Sequence, residues 1–178
     1  SQAVEFLGPE VVCEQKYLAA EALALNGCMY FAPCNAQQVL RINPESHDAE
    51  MIGPELIGVF KYVASGVLAP NGRIYFAPHN AARVLCVDTV SQVVEETGPV
   101  LEGNCKYSAA GVLASNGRIY FAPYSAQRIL CVDPEAGLVE LVGPELLGDY
   151  KYFAGSLACD GRIYLAPYNA TRVLCIDV

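Results

Sequence analysis

The sequence has no apolar run approaching the roughly 18 consecutive residues of a membrane-spanning helix. Its first residues also lack the basic flank and apolar core of a secretory signal. Charged residues make up only 17% of the 178 residues, whereas hydrophobic residues make up 53%. This balance excludes a disordered or collagen-like chain and predicts a soluble, globular one with no membrane-spanning segment.

Signatures of catalysis and of metal binding are also absent. There is no Cys-x-x-Cys pair, no His-x-x-x-His pair, no Gly-x-Ser-x-Gly elbow and no glycine-rich phosphate loop. The only two histidines, His47 and His79, have no partner at a metal-ligand spacing. We therefore assign no catalytic residue, no metal site and no cofactor, and we favour a role other than catalysis.

Positive charge is scarce, and the eight cysteines show no compact even spacing. The net charge of −8 opposes binding to nucleic acid and to anionic membrane surfaces. Cys86, Cys131 and Cys175 recur at one position of a repeat. We expect these three to be buried free thiols, which favours a reducing compartment such as the cytosol or an organelle interior.

What the sequence does contain is a repeat of 45 residues. Gly-Pro marks its frame at Gly8, Gly53, Gly98 and Gly143. Each unit has several Gly and Pro residues, short apolar runs and no ten-residue stretch at helical period. Periods of 40 to 50 residues with these features are typical of propeller blades rather than helical hairpins.

The second unit predicts four short strands, at about 64–69, 73–77, 83–87 and 93–96. Asn71-Gly72 supplies the positive backbone angles of a tight hairpin turn between the first two strands. Pro78 ends the second strand because it cannot donate a ladder hydrogen bond.

The two ends of the chain complement each other. Residues 1–7 align with the fourth strand of the second unit, and the fourth unit lacks that strand. We therefore predict a single domain, 1–178, that is an all-β, closed four-bladed propeller. Its blades are 8–52, 53–97, 98–142, and 143–178 completed by 1–7. Closure would remove unpaired sheet edges. Half of an eight-bladed dimer is the alternative.

The order Gly-Val-x-Ala-x-Asn-Gly-x-Ile-Tyr-Phe-Ala-Pro-x-Asn-Ala-x-Arg-Val-Leu-x-Val-Asp, followed by a turn and Val-Val-Glu, resembles the blades of YVTN-type, NHL and kelch-like β-propellers. The resemblance covers essentially the whole chain. Those families commonly have six or seven blades, and some members are hydrolases, lactonases or lyases that use a central histidine or metal-bound carboxylates. The repeats also look like tandem arrays in proteins of protistan algae.

One face of the predicted ring carries the candidate site. Each unit places a Lys-Tyr pair before its first strand, and most units place an Arg after the loop between the second and third strands. The candidates are Lys16, Lys61, Lys106, Lys151, Tyr17, Tyr62, Tyr107, Tyr152, Arg83, Arg128, Arg172 and His79. A converging basic ring would suit a small anionic ligand or a partner's carboxylates. The structural alternative is ion pairing within the repeat, with the acids Glu10, Glu55, Glu145, Asp88, Asp133 and Asp177. The tyrosines either pack under the loop with hydroxyls on its backbone or line the channel mouth.

Three functions remain open. The first is a non-enzymatic scaffold that binds another protein, as an accessory subunit of a larger, algal-type organellar complex. The second is a propeller hydrolase or lyase, or a small-ligand binder, with His79 as the candidate base. The third is carbohydrate recognition at the repeated loops.

Overall fold

We describe residues 4–178 from a computed structural model. All regular elements of this part of the chain are β-strands, in four antiparallel sheets that follow one another in sequence. Blade 1 contains β1 (Ala22–Leu23), β2 (Met29–Phe31), β3 (Val39–Asn43) and β4 (Asp48–Ile52). Blade 2 contains β5 (Val67–Leu68), β6 (Arg73–Phe76), β7 (Val84–Asp88) and β8 (Val94–Thr97). Blade 3 contains β9 (Val112–Leu113), β10 (Ile119–Phe121), β11 (Ile129–Asp133) and β12 (Leu138–Val142). Blade 4 contains β13 (Tyr152–Leu157), β14 (Arg162–Pro167) and β15 (Leu174–Asp177).

The turn chemistry of the sequence sets the inner hairpin of each blade. Gly72 has a φ of +79°, and the Asn71 side chain accepts a hydrogen bond from the Arg73 N–H at 3.1 Å. The Gly72 N–H in turn donates to the Ala69 carbonyl at 3.0 Å. The four strands predicted for the second unit are therefore confirmed, with boundaries that differ by a few residues.

Alternating side chains along the central strands bury both faces of each interior blade. In blade 2, Ile74 and Phe76 pack towards blade 1, whereas Tyr75 and Cys86 pack towards blade 3; all four are at most 4% exposed. The register pairs Ile74 with Val87 and Tyr75 with Cys86, so the two central strands present matched faces. Burial on both faces explains why these strands read as continuous apolar runs.

Three core clusters join blades 1 and 2, blades 2 and 3, and blades 3 and 4. Within residues 4–178, none of the three contains buried side chains of both blade 1 and blade 4. In this part of the chain, blades 1 and 4 therefore share no core cluster, as the alternative of half a dimeric ring expects, and closure within one chain stays a prediction. The sequence repeat predicts the number of blades in the chain. The packing between neighbouring blades sets the rotation from one blade to the next, so the repeat alone does not determine whether the ring closes.

The predicted N-terminal strand falls partly on residues 1–3, which lie outside the described residues. Residues 4–7 belong to no strand, and the fourth sheet has three strands with β15 at its edge. Instead, Glu5 Oε1 lies 3.4 Å from His47 Nδ1 in blade 1. Residues 4–7 therefore add no strand to the fourth sheet, and completion of blade 4 by residues 1–7 stays a prediction. The direct connection through Gly8 holds the segment at the blade 1 end.

Candidate functional site

Three of the four repeated lysines are buried. Lys61, Lys106 and Lys151 are 2–4% exposed, and Lys16 is half-buried. Each buried ammonium donates to a glycine carbonyl three residues earlier. These bonds join Lys61 to Gly58 at 2.8 Å, Lys106 to Gly103 at 2.5 Å and Lys151 to Gly148 at 2.6 Å.

The backbone around each lysine explains this geometry. The residue before it has a positive φ: 50° at Phe60, 53° at Cys105 and 55° at Tyr150. This left-handed step turns the chain so that the lysine folds back over its own connector. Burial lowers the pKa of Lys61, Lys106 and Lys151, because desolvation disfavours the charged form. Lys61, Lys106 and Lys151 therefore close the connectors, and a converging basic ring at this face stays a prediction.

The repeated tyrosines also serve the loops. The hydroxyls of Tyr62, Tyr107 and Tyr152 donate to the backbone carbonyls of Arg83, Arg128 and Arg172 at 3.0, 2.9 and 3.1 Å. Tyr17 makes the corresponding bond to Gln38 at 3.1 Å. Burial raises the pKa of Tyr17 to about 12 and raises that of Tyr62 and Tyr107 further. The packing interpretation of these tyrosines, with hydroxyls on the loop backbone, is thus the one the contacts support.

The structure brings lysine, tyrosine and arginine together in blades 3 and 4. In blade 3, Lys106, Tyr107 and Arg128 line a cleft of about 460 Å³ between the connector and the loop after β10. Blade 4 repeats it with Lys151 and Arg172 in a cleft of about 400 Å³. Arg128 and Arg172 are exposed, and the candidate residues of blades 3 and 4 line two separate clefts.

Three of the acids predicted to pair with the repeated lysines and loop arginines form ion pairs with other arginines. These acids are Asp88, Asp133 and Asp177. Arg118 pairs with Asp133 at 2.9 Å. The same pairing joins Arg73 to Asp88 and Arg162 to Asp177 at 3.3 and 3.8 Å. Arg83, by contrast, donates to the Gly98 carbonyl. Its side chain is thereby held by its own blade.

His79 lies at the joint between blades 2 and 3. Its Nδ1 is 3.0 Å from the Ser108 hydroxyl, and it is outside the lysine clefts. Burial, with a further contribution from the Lys106 charge, lowers the pKa of His79, against a hydrogen bond that the imidazole donates to the Tyr107 backbone, which raises it. A neutral imidazole is therefore favoured in the folded chain.

No group of three or more potential metal ligands occurs in residues 4–178. Nor does that part of the chain contain a helix that could cross a membrane.

A surface that the sequence reasoning missed is the outer face of blade 4. Val173 is 59% exposed and Tyr164 is 37% exposed. The equivalent side chains of blade 3, Ile129 and Tyr120, are only 4% and 7% exposed because blade 4 covers them. Cys175 is exposed for the same reason, so our expectation of a buried thiol holds for Cys86 and Cys131 but is wrong for Cys175; all eight cysteines are free. We call this surface the tail face.

Blade 1 has the complementary surface, which we call the head face. It comprises the half-exposed Leu18 and the partly buried Met29, Phe31, Leu40 and Ile42. Their blade 2 equivalents Ile74, Phe76, Leu85 and Val87 are completely buried. The repeat period could have located both faces, since an unpaired first or last blade repeats core residues with no neighbour to cover them.

An aromatic cluster borders the tail face. Tyr124 contacts Tyr150, Phe153 and Tyr168 with ring centroids 4.9, 5.6 and 6.0 Å apart. Tyr168 is 63% exposed and Phe153 is 51% exposed. Aromatic side chains of this kind are enriched at protein interfaces.

No protein-family model and no curated protein matches the sequence. The similarity to known proteins is structural. Virginiamycin B lyase from Staphylococcus aureus, in a structure with quinupristin, superposes with a TM-score of 0.69 over 95% of this chain and 58% of the lyase chain, at 15% identity. Kuenenia stuttgartiensis hydrazine synthase gives 0.69 over 98% and 49% at 14% identity. An auxiliary nutrient binding protein from Bacteroides ovatus gives 0.61 over 90% and 44% at 14% identity.

The chain thus spans only 44% to 58% of the length of these structures. The TM-scores of 0.61 to 0.69 establish a shared fold. Sequence identities of at most 15% do not extend to a shared activity. The predicted resemblance to propeller blades is confirmed: this all-β chain of four consecutive antiparallel sheets has the architecture of the β-propeller fold.

Proposed function

We propose that the protein is a non-enzymatic interaction module that binds a protein partner through the head and tail faces of its blade array. The observation that carries this proposal is the exposure of Val173, at a repeat position where Val39 and Val84 are completely buried. Apolar side chains that form the core at the interior joints are exposed on the tail face and only partly buried on the head face. A contiguous apolar surface of this kind favours a protein interface.

The total accessible surface supports the same proposal. The chain exposes 9504 Å², whereas a compact monomer of 19.1 kDa is expected to expose about 8,400 Å². The excess of about 1,100 Å² is shared between the end faces and the extended N-terminal segment, where Val4 is 94% exposed. A role as an accessory subunit of a larger assembly fits a rigid scaffold with two such faces.

Isolation from the native source under non-denaturing conditions, followed by mass measurement, tests this function. We expect a stoichiometric assembly heavier than the 19.1 kDa chain. A lone monomer of that mass would contradict the interaction role. The clefts provide an internal comparison, because a partner bound at the end faces leaves Arg128 accessible to modification.

A second candidate, the binding of a small anion, is favoured by the cleft of blade 3, where Arg128 is exposed beside the buried Lys106. Titration with citrate, followed by calorimetry, tests it. Arg128→Ala should abolish binding, whereas Arg73→Ala, which removes an equal charge on β6 of blade 2, should not. Equal affinity of both variants would exclude the cleft as the site.

A further inference from the structure

We propose that the partner at the end faces is a second copy of this chain. The tail face of each copy packs on the head face of the other, so that two identical joints close a ring of two chains. This inference rests on the proposed function, since it uses the same faces and names their occupant. The three joints inside the chain provide the template for the joint between copies.

The first part of the template is a backbone hydrogen bond across each joint. The N–H of the repeated lysine donates to a loop carbonyl of the preceding blade. The bonds run from Lys61 to Cys34 at 3.1 Å, from Lys106 to His79 at 3.0 Å and from Lys151 to Tyr124 at 2.8 Å. In residues 4–178 the next members of these two series, the Lys16 N–H and the Tyr168 carbonyl, make no such bond with each other. They are the two halves of one more joint, at opposite ends of the chain.

The second part is a side-chain acceptor next to that carbonyl. Asn35 accepts from the Phe60 N–H at 2.8 Å, and Asn80 accepts from the Cys105 N–H at 3.0 Å. At the third joint Ser125 replaces the amide and accepts from Tyr150 at 3.4 Å. The tail face keeps an asparagine at the equivalent position, Asn169, and the head face presents the Gln15 N–H.

The third part is the apolar contact. At the third joint Tyr124 packs against Phe153, whereas at the second joint the same positions hold a polar pair, the hydrogen bond between His79 and Ser108. The equivalent pair across copies is Tyr168 with Leu18, two side chains that are 63% and 51% exposed. Behind them, Val173 and Tyr164 would pack on the partly buried head-face residues. Each half therefore has the shape and polarity of a surface that already packs inside the chain.

The fourth part concerns the outer-strand position of blade 4, where residues 4–178 place no strand. Gly53 and Gly98 each abut an outer-strand valine of the following blade, Val94 and Val139. Gly143 has no such neighbour among the described residues, and the repeat places Val4 there. Val4 is 94% exposed. The segment 4–7 is held at the blade 1 end, where it would pair with the free edge of β15 in the other copy.

A second copy fits better than an unrelated protein because the chain itself carries both complementary halves. Two head-to-tail joints related by a twofold axis form a closed assembly, whereas a head-to-tail contact that does not close would form filaments. Closure also removes the free edge of β15, a surface that otherwise favours aggregation.

Analytical ultracentrifugation of the purified 178-residue chain over a dilution series tests the proposal. We expect a reversible dimer of twice the 19.1 kDa chain mass. Val173→Glu on the tail face, and separately Leu18→Glu on the head face, should raise the dimer dissociation constant at least about 100-fold, because each places a carboxylate in a dry interface. Val90→Glu is the matched control: Val90 is 89% exposed in a turn of blade 2, so its dissociation constant should change less than about twofold. Circular dichroism verifies that each variant folds.

A monomer at every concentration would overturn the proposal, as would filaments or a dimer that all three variants leave intact. A monomeric pure chain found in a heteromeric native complex would refute the second copy while leaving the interaction role in place. A monomer both in pure form and in the native source would refute the two together. If another polypeptide supplied further blades, the pure chain would be monomeric and the native complex heteromeric.

Discussion

Two glycines at the same repeat position offer a sharp test of the open blade array. Gly98 has a φ of +83° and Gly143 has a φ of +80°, and each precedes a proline. A Cβ added at Gly98 would lie 2.6 Å from Cβ of Val139 in the next blade. Among residues 4–178, a Cβ added at Gly143 would meet only Ile129, at 3.5 Å, which is ordinary van der Waals contact.

Both substitutions by alanine force a side chain into the left-handed region, at a cost of about 1–2 kcal/mol. Gly98→Ala adds a clash with a packed valine, and such overpacking costs about 1–3 kcal/mol more. We therefore expect Gly98→Ala to lower the free energy of unfolding by about 2–5 kcal/mol and Gly143→Ala by about 1–2 kcal/mol. The matched φ values make Gly143→Ala the control for backbone strain.

Urea denaturation at high dilution, where the second copy has dissociated, measures both losses. Equal losses, or a greater loss for Gly143→Ala, would mean that a strand of the same chain already covers Gly143, and would refute the open array. At high protein concentration Gly143→Ala should also weaken self-association, because the added methyl meets Val4 of the other copy.

Three further predictions concern the interior of the array. Tyr107→Phe should cost about 0.5–1.5 kcal/mol in denaturant unfolding, since it removes the hydrogen bond to the buried loop at Arg128; unchanged stability would contradict that bond. His79 has a lowered pKa in the fold, so the unfolded chain protonates first: stability should be complete above the unfolded pKa of about 6.5 and fall as the pH drops below it. His79→Tyr should remove this part of the pH dependence, and a profile identical to the parent would show that His79 is not its source. Arg118→Ala should change stability less than Tyr107→Phe, because the pair with Asp133 is 40% exposed on the arginine side and screened by salt; a larger, salt-insensitive loss would contradict this.

Much of the fold follows from local sequence signals. Asn71-Gly72 specifies a hairpin because the turn needs positive φ, and Gly72 has it. Apolar runs such as β7 predict strands buried on both faces. The joining of the ends could not be predicted in the same way. Alignment assigns residues 1–7 to the edge of a blade, but it does not say whether that blade belongs to the same chain or to another.

The candidate site was harder to predict, because recurrence marks structural and functional residues alike. The lysine represented by Lys106 recurs because its ammonium donates to the carbonyl of Gly103 and so fixes the connector. The spacing of three residues between glycine and lysine is the sequence pattern that indicates this structural role. Blade 1 has Cys13 where the other blades have this glycine, and Lys16 is the one repeated lysine that is less deeply buried. The end faces could not be predicted from residue type, because their residues are those of core positions in the other blades. Val173 differs from Val84 only in that no following blade covers it among the described residues.

The most direct measurement of the central claim is thiol labelling of Cys175 at increasing protein concentration, with each cysteine resolved by peptide mass. Cys175 lies on the exposed tail face, whereas Cys86 and Cys131 occupy the same repeat position at joints that the next blade covers. Burial raises the pKa of the Cys86 thiol to about 11 and also raises the pKa of the Cys131 thiol. We predict that Cys175 labels rapidly in dilute solution, becomes protected as the second copy binds, and regains reactivity in Leu18→Glu, whereas Cys86 and Cys131 stay protected throughout. Protection of Cys175 at every dilution, or labelling that never depends on concentration, would contradict the account.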